Sequence, residues 1–164
     1  MSKQKKKKAK PAPRPKPAAK QKITTFLWFD NNAEEAATFY VSIFKNSKVV
    51  SASPLAVNFQ LEGQQFTGLN GGPQFKFTEA ISLLVSCETQ REVDDLWSKL
   101  TADGGQESMC GWLKDKYGLS WQIIPTAPMR GLSDPDRAAA QRVMQAMLKM
   151  RKIDIATLER AQRG

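Results

Sequence analysis

The chain contains the same order of local patterns twice, and this repetition restricts its fold more than any other feature. The apolar segment TFLWFD at 25–30 has a counterpart, SLLVSC at 82–87, that begins 57 residues later. An amphipathic helix pattern follows each segment at the same offset. Its apolar stripe consists of Ala36, Phe39, Tyr40 and Ile43 in the first copy and of Val93, Leu96, Trp97 and Leu100 in the second. One irregular domain does not explain such spacings, so we predict two tandem βαβββ units.

Helix starts and hairpin turns support the same division. Asn31 or Asn32 is expected to cap the first helix, because a short polar side chain accepts a hydrogen bond from the first turn. Thr89 and Glu92 form a capping box before the second helix. The glycines Gly63 and Gly118 mark equivalent turns near the end of each unit.

The segment after Pro125 is expected to be helical. Ser133 or Asp134 is a candidate cap, and Asp154 can cap a last short helix. One apolar stripe consists of Ala139, Val143, Met147 and Met150. That spacing is typical of a helix that packs against the domain or against a second subunit. We therefore predict three parts, a disordered basic tail at 1–22, a paired βαβββ domain at 23–128 and a helical extension at 129–164.

The formal net charge of +9 belongs to the tail. Residues 1–22 contain ten Lys or Arg and no acid, whereas the rest contains fifteen basic and sixteen acidic residues. A segment of Lys, Pro, Ala and Gln buries too little apolar area to offset its chain entropy, which predicts disorder. It can make weak, non-specific contacts with nucleic acid or other polyanions, or it can serve only as a solubilising extension.

Several classes of function are disfavoured by composition. The chain has no histidine, which removes Ser-His-Asp and Cys-His catalysis and the commonest metal ligand. It has no G-x-G-x-x-G loop, so we expect no nucleotide-like cofactor. Cys87 and Cys110 are expected to be free thiols in a reducing compartment, the cytoplasm. No apolar run approaches 18 residues, so no membrane contact is expected.

The strand at 119–124 places a glutamine where a ligand could reach it. Side chains alternate along a strand, so Trp121 faces the core with Leu119 and Ile123, and Gln122 faces the other way. An amide offers donors and an acceptor to a polar ligand. The alternative is a hydrogen bond between Gln122 and a side chain of the neighbouring strand.

Four segments together resemble one protein family. They are ITTFLWFDNNAEEAATFYVSIF, FTGLNGGPQFKFTEAIS, CGWLKDKYGLSWQIIP and the ending LSDPDRAAAQRVMQAMLKMRKIDIATLERA. This combination resembles the PhnB-like, or 3-demethylubiquinone-9 3-methyltransferase-like, group of the vicinal oxygen chelate (glyoxalase/bleomycin-resistance) superfamily. The resemblance implies an α+β fold of two βαβββ modules, which form an open curled mixed sheet followed by C-terminal helices. It also implies a homodimer.

The resemblance also locates the positions that hold metal in metal-dependent members of the superfamily. In this chain they fall at Ile23, Thr67, Ala80 and Gln122. Two apolar side chains, one hydroxyl and one amide are a poor ligand set for zinc or other transition metals. We therefore expect no bound metal.

The candidate ligand-binding residues lie around the cleft that this fold implies. They are Thr67, Asn70, Ser82, Cys110, Trp112 and Gln122. Asn70 precedes two glycines, so it can equally serve the turn. Cys110 is a possible nucleophile or a structural thiol. Glu79 and Asp115 are possible acids or bases, although Asp115 lies in a turn and is expected to be solvated.

Three functions remain open from the sequence. The first is a metal-free protein that binds a small organic molecule, uncharged or weakly polar, in the cleft. The second is an enzyme of unassigned chemistry that uses Gln122, Cys110 or an acidic residue; methyl transfer is disfavoured by the missing loop. The third is a protein that associates with polyanions through its basic tail.

Overall fold

A computed structural model describes residues 21–164 of the chain. The prediction of a disordered tail therefore concerns residues outside the described part, apart from the last two. Gln21 is bound to the first module, where its side-chain amide pairs with the backbone of Gln65. No helix within residues 21–164 is both long and apolar enough to cross a membrane.

The described residues form two βαβββ modules in tandem, as the repeated pattern predicts. The first contains β1 (Thr25–Phe29), α1 (Ala33–Ile43), β2 (Lys48–Ala52), β3 (Ala56–Leu61) and β4 (Gln64–Asn70). The second contains β5 (Ser82–Cys87), α2 (Gln90–Thr101), β6 (Gln106–Glu107), β7 (Trp112–Lys114) and β8 (Ser120–Pro125). Each module has its own four-stranded mixed sheet, with strand orders β1-β4-β3-β2 and β5-β8-β7-β6. The α+β fold is thereby confirmed.

The starts of α1 and α2 correct one capping prediction and confirm another. The Thr89 hydroxyl accepts from the Glu92 N–H at the start of α2, as expected. At α1 the Asn32 side chain makes no capping bond, and the Ala33 N–H donates to Oδ1 of Asn70 at 2.9 Å. Asn70 lies at the end of β4, so a distant residue replaces the local cap.

The C-terminal extension contains α3 (Thr126–Met129), α4 (Arg137–Met147) and α5 (Ile155–Arg163). Asp136 caps α4 by accepting from the Ala138 N–H, so the prediction of Ser133 or Asp134 is wrong. Asp154 caps α5 as predicted, because it accepts from the Thr157 N–H. The Pro135 ring precedes the actual cap, which places the helix start two or three residues later than expected.

The stripe on α4 packs inside the extension. Val143, Ile153 and Leu158 are fully buried together, and Met147 and Met150 pack against them. The extension is joined to the second module by backbone bonds from Cys110 and Gly111 to the carbonyls of residues 150 and 151. The stripe is therefore intramolecular core, and it does not supply a subunit interface.

The two modules share one hydrophobic core. α1 packs on its own sheet and presents Tyr40 and Phe44 to Trp121 of β8, which is 2% exposed. The Phe44 and Trp121 rings stack with their centroids 5.3 Å apart. Trp121 is thus a core residue, as the alternation of the strand predicts, and Gln122 is turned to the opposite face.

A buried carboxylate fastens the two modules together. Asp115 is only 2% exposed and accepts hydrogen bonds from Tyr40 Oη and Trp121 Nε1, both at 2.8 Å. The backbone N–H groups of Tyr117 and Leu119 donate to its other oxygen. The expectation of a solvated Asp115 is wrong, because the first-module helix α1 covers this turn. We refer to Asp115 and its four donors as the carboxylate clasp.

Candidate ligand-binding site

The face of the second sheet that points away from α2 carries an exposed row of three side chains. Register pairs Leu84 of β5 with Gln122 of β8, and Gln122 with Trp112 of β7. Cross-strand partners lie on the same face, about 5 Å apart at Cβ. Leu84 is 58% exposed, while Gln122 and Trp112 are half-buried. This apolar, amide and aromatic row is suited to contact an organic molecule.

Gln122 is held in place by a neighbouring strand. Its Nε2 donates to Oγ of Ser82 at 2.8 Å. The bond uses one of the two amide donors and leaves the Gln122 carbonyl oxygen without a protein partner among the described residues. The hydrogen bond to the neighbouring strand is therefore present, and ligand binding by the remaining amide groups of Gln122 stays a prediction.

A half-open cavity of about 150 Å³ adjoins this row and contains residues that sequence reasoning missed. Its lining includes Ser120, Lys114, Glu79 and Trp112. Ser120 is 1% exposed, and its Oγ is the one buried side-chain polar atom in residues 21–164 that lacks a hydrogen-bond partner. Lys114 is the cross-strand partner of Ser120, and its ammonium pairs with the Glu79 carboxylate.

A signal in the sequence could have identified Lys114 and Ser120 as neighbours. Gly118 marks a hairpin turn, and Lys114 and Ser120 flank that turn on either side of the loop. Ser120 also lies two residues before Gln122 and therefore shares its face. Counting the hairpin register outward from the turn would have brought Ser120, Lys114 and Gln122 together.

Two other predicted residues lie in the first module. Thr67 donates to Asn58 Oδ1 at 2.8 Å on the open face of the first sheet. Asn70 uses both ends of its amide, since it accepts from Ala33 N–H and donates to the Pro54 carbonyl. The Asn70 side chain therefore fastens α1 and the β2–β3 loop to the end of β4, a role that differs from the turn alternative.

The cysteines are held in structural positions. Cys110 has a φ of 59° in the turn between β6 and β7, and its thiol lies 3.7 Å from the Met147 carbonyl oxygen. Burial raises the pKa of the Cys87 thiol to about 12, so this thiol is protonated and unreactive near neutral pH. The charged groups that act on the Cys87 thiol are the carboxylates of Glu92 and Glu88, which oppose its ionisation.

The residues at the superfamily metal positions do not fit a metal ion. Ile23 is apolar and 87% exposed, and Ala80 carries no donor. Thr67 offers one neutral hydroxyl and Gln122 one neutral amide oxygen, and this pair is too small and too weak a ligand set for a transition metal. Across residues 21–164, no group of three or more His, Cys, Asp or Glu is arranged to hold a metal.

The turns between strand and helix also differ from those of nucleotide-binding proteins. A phosphate-binding loop needs glycines where a strand enters a helix, so that the backbone can approach the ligand. The turns at 30–32 and 88–89 contain no glycine. Gly71 lies instead against the Trp28 ring, and Gly105 against the end of α2.

A second, larger groove runs along the free edge of β5 between the modules. Its volume is about 1000 Å³, and its apolar floor includes Phe44, Leu61, Leu83 and Leu96. Asp95 at its rim is already paired with Lys99. The groove is broad and half-open, and it lies beside the unpaired edge of β5.

Solved structures with the same fold share the paired modules. The chain is 40% identical to the PhnB protein of Bacillus cereus, and the match covers 65% of this chain and all of that one with a TM-score of 0.59. A fosfomycin resistance protein, FosX, of Listeria monocytogenes, whose structure contains Mn(II) and sulfate, matches at 15% identity. That match covers 70% of this chain and 97% of FosX, with a TM-score of 0.53. No curated protein matches the chain.

The paired βαβββ modules are the fold of a glyoxalase/bleomycin resistance protein from Albidiferax ferrireducens, which matches at 13% identity over 65% of this chain and 99% of that one with a TM-score of 0.50. The chain belongs to the 3-demethylubiquinone-9 3-methyltransferase family, the PhnB-like group, whose sequence model matches residues 21–124. The model ends at β8, so the helical extension lies outside it.

Proposed function

We propose that the protein binds a small organic molecule, without a metal ion, on the open face of its second sheet. The observation that carries this proposal is the row of Leu84, Gln122 and Trp112 beside a cavity with an unpartnered buried hydroxyl. Such a combination of apolar surface and a few convergent polar groups is typical of ligand sites. Membership of the family supports ligand binding in a cleft, and the choice of ligand rests on the residues of the site.

Catalysis is less well supported by the same residues. Asp115 is enclosed by four donors in the core, and burial keeps the Cys87 thiol protonated. The fold shared with FosX concerns the scaffold alone, because the identity is 15%. The tail that would contact polyanions lies outside the described residues, so that hypothesis and a cytoplasmic location stay predictions.

A ligand screen tests the proposal through Gln122. Thermal-shift measurements against a metabolite library should find stabilising compounds, because a ligand that binds only the folded state raises its stability. Gln122→Ala should weaken such a ligand by about 0.5–1.5 kcal/mol, the contribution of one neutral hydrogen bond. Isothermal titration of the purified variant provides the measurement.

The control for this experiment is Asn58→Ala, which removes an amide from the open face of the first sheet. It should leave affinity unchanged, because Asn58 lies outside the second module. If the wild type and Gln122→Ala bind every stabilising compound with equal affinity, the binding site does not include this face of the second sheet.

We also propose a homodimer formed through the edges of the modules. The edge strands β2 and β6 are protected, β2 by a register shift between Val49 and Ser51 and β6 by its length of two residues. The other edges, β1 and β5, have no charge, proline or bulge, and they expose Phe26 and Leu84. Unprotected apolar edges aggregate unless something covers them, and a second copy offers both matching edges.

A charge on β1 should separate the subunits. Phe26→Lys, at a side chain that is 59% exposed, is expected to give a monomer in light scattering at low micromolar concentration. Lysine on an edge strand opposes strand pairing. Val50→Lys on the protected β2 edge is the matched control and should remain dimeric. A wild-type protein that is monomeric under these conditions contradicts the proposal.

A further inference from the structure

The cavity beside the ligand row has features that specify the chemistry of its ligand. Ser120 Oγ is buried and has no partner, although buried hydroxyls are almost always hydrogen-bonded. The cavity of about 150 Å³ has room for several water-sized groups, since one water occupies about 30 Å³. An unpartnered donor in the wall of a cavity can bond to a group that enters the cavity.

The second feature is a cation next to the hydroxyl. Lys114 is paired with Ser120 across the β7–β8 hairpin, so both side chains rise from the same face at adjacent positions. Both residues line the same cavity, and an ammonium and a hydroxyl can each donate to one oxygen of a carboxylate, which accepts at both oxygens. Charge-assisted hydrogen bonds of this kind are stronger than neutral ones.

The third feature is that the Lys114 ammonium already forms an ion pair with a carboxylate of the protein. Glu79 pairs with Lys114 from the irregular segment between β4 and β5, and its side chain is 65% exposed. The hydrogen bond from Lys114 lowers the pKa of Glu79, so this carboxylate is ionised near neutral pH. The ion pair shows that this position accepts an anion. Because the Glu79 side chain is exposed, the carboxylate of a ligand can take its place.

We propose that the ligand is an organic carboxylate whose carboxyl group displaces Glu79 and binds Lys114 and Ser120. The body of the ligand then extends over the neighbouring row, where Trp112 and Leu84 offer apolar surface and Gln122 offers an amide. This inference rests on the proposed ligand-binding function and narrows its ligand from organic molecules in general to carboxylic acids with an apolar or aromatic body.

Titration with benzoate, and with benzamide as its neutral analogue, tests the inference on the full chain. Saturable heat or chemical-shift changes are expected for benzoate and at least about ten-fold weaker binding for benzamide, the range lost with a charge-assisted bond. Lys114→Met should weaken benzoate by about ten-fold or more and leave benzamide unchanged. Ser120→Ala should weaken benzoate about three- to ten-fold.

The informative variant is Glu79→Gln, which removes the internal competitor. It should tighten benzoate about two- to five-fold, the range that an exposed ion pair covers. A purely structural ion pair would not produce a gain in affinity when it is broken. Ser120→Ala should also leave the thermal midpoint of the unliganded protein unchanged, because it removes no hydrogen bond.

The outcomes separate this inference from the proposed function. Equal binding of benzoate and benzamide, or no tightening in Glu79→Gln, overturns the carboxylate assignment. If neutral compounds bind and respond to Gln122→Ala while benzoate does not bind, the proposed function stands and the inference fails. A Ser120→Ala variant that is clearly less stable indicates a bound water as the partner of the hydroxyl, and the inference fails then as well.

Discussion

Replacing Asp115 with alanine is expected to lower the free energy of unfolding by about 3–5 kcal/mol. The substitution leaves Tyr40 Oη, Trp121 Nε1 and two backbone N–H groups without an acceptor in a site that is 2% exposed. Each unsatisfied buried donor costs about 1–3 kcal/mol, although the two backbone groups at the turn can partly rehydrate. Urea denaturation followed by tryptophan fluorescence provides the measurement.

Two variants make the result specific to the carboxylate clasp. Tyr40→Phe removes a single donor and should cost about 1–2 kcal/mol, because the carboxylate keeps its other three. Asp30→Ala, at an exposed aspartate, should change stability by less than about 0.5 kcal/mol. A loss below about 1 kcal/mol in Asp115→Ala means that the modules hold together without the clasp.

The clasp should also give stability a pH dependence of a definite sign. Burial raises the pKa of Asp115, and this effect outweighs the hydrogen bonds that lower it. A carboxyl group whose pKa is higher in the folded than in the unfolded protein binds its proton more tightly in the folded state. Its contribution to stability is therefore complete below the unfolded pKa, which lies near 3.9. The contribution declines as pH rises through the folded pKa. The stability gap between wild type and Asp115→Ala should therefore be larger at pH 4 than at pH 7.

Gly111→Ala is expected to destabilise the protein by about 3–4 kcal/mol and to loosen the helical extension. Gly111 has a φ of 83°, which costs a residue with a side chain of order 1–3 kcal/mol. An added Cβ would also lie 2.9 Å from the Ile123 carbonyl oxygen and 3.2 Å from Ile153. Relief of these contacts would pull the Gly111 N–H away from the carbonyl of Arg151.

Gly118→Ala separates backbone strain from crowding. Gly118 has a φ of 85°, but its Cβ would meet no atom within 4 Å, so only about 1–2 kcal/mol is expected. Urea denaturation compares the two variants, and trypsin digestion reports on the extension through the basic residues at 149–152. Faster cleavage there in Gly111→Ala alone is the expected result. Equal behaviour of both variants contradicts the docking role of Gly111.

The regular elements could be predicted because their signals are local. The stripe of Val93, Leu96, Trp97 and Leu100 is fully buried as its spacing indicates. The Trp121 and Gln122 faces also follow from alternation, because a strand exposes successive side chains to opposite sides. The repeat at 57 residues then orders these elements into two modules without knowledge of their packing.

The error at the start of α1 has a tertiary cause. The α1 cap comes from Asn70, which lies 37 residues from the N–H that it serves. A local rule compares only residues within one turn, so it selected Asn31 or Asn32. The same limitation applies to Asp115, whose turn looks solvated in sequence but is covered by Tyr40, 75 residues earlier.

The sequence by itself determined the two βαβββ units, the side-chain faces of β8 and the absence of histidine chemistry, since all three depend on residue type and short spacing. Only the tertiary structure decided that Asp115 is buried, that the α4 stripe is spent within the extension, and that Ser120, Lys114 and Glu79 meet in one cavity. Those features depend on which surfaces the folded chain brings together, and burial of a polar atom is a property of its neighbours rather than of its own residue type.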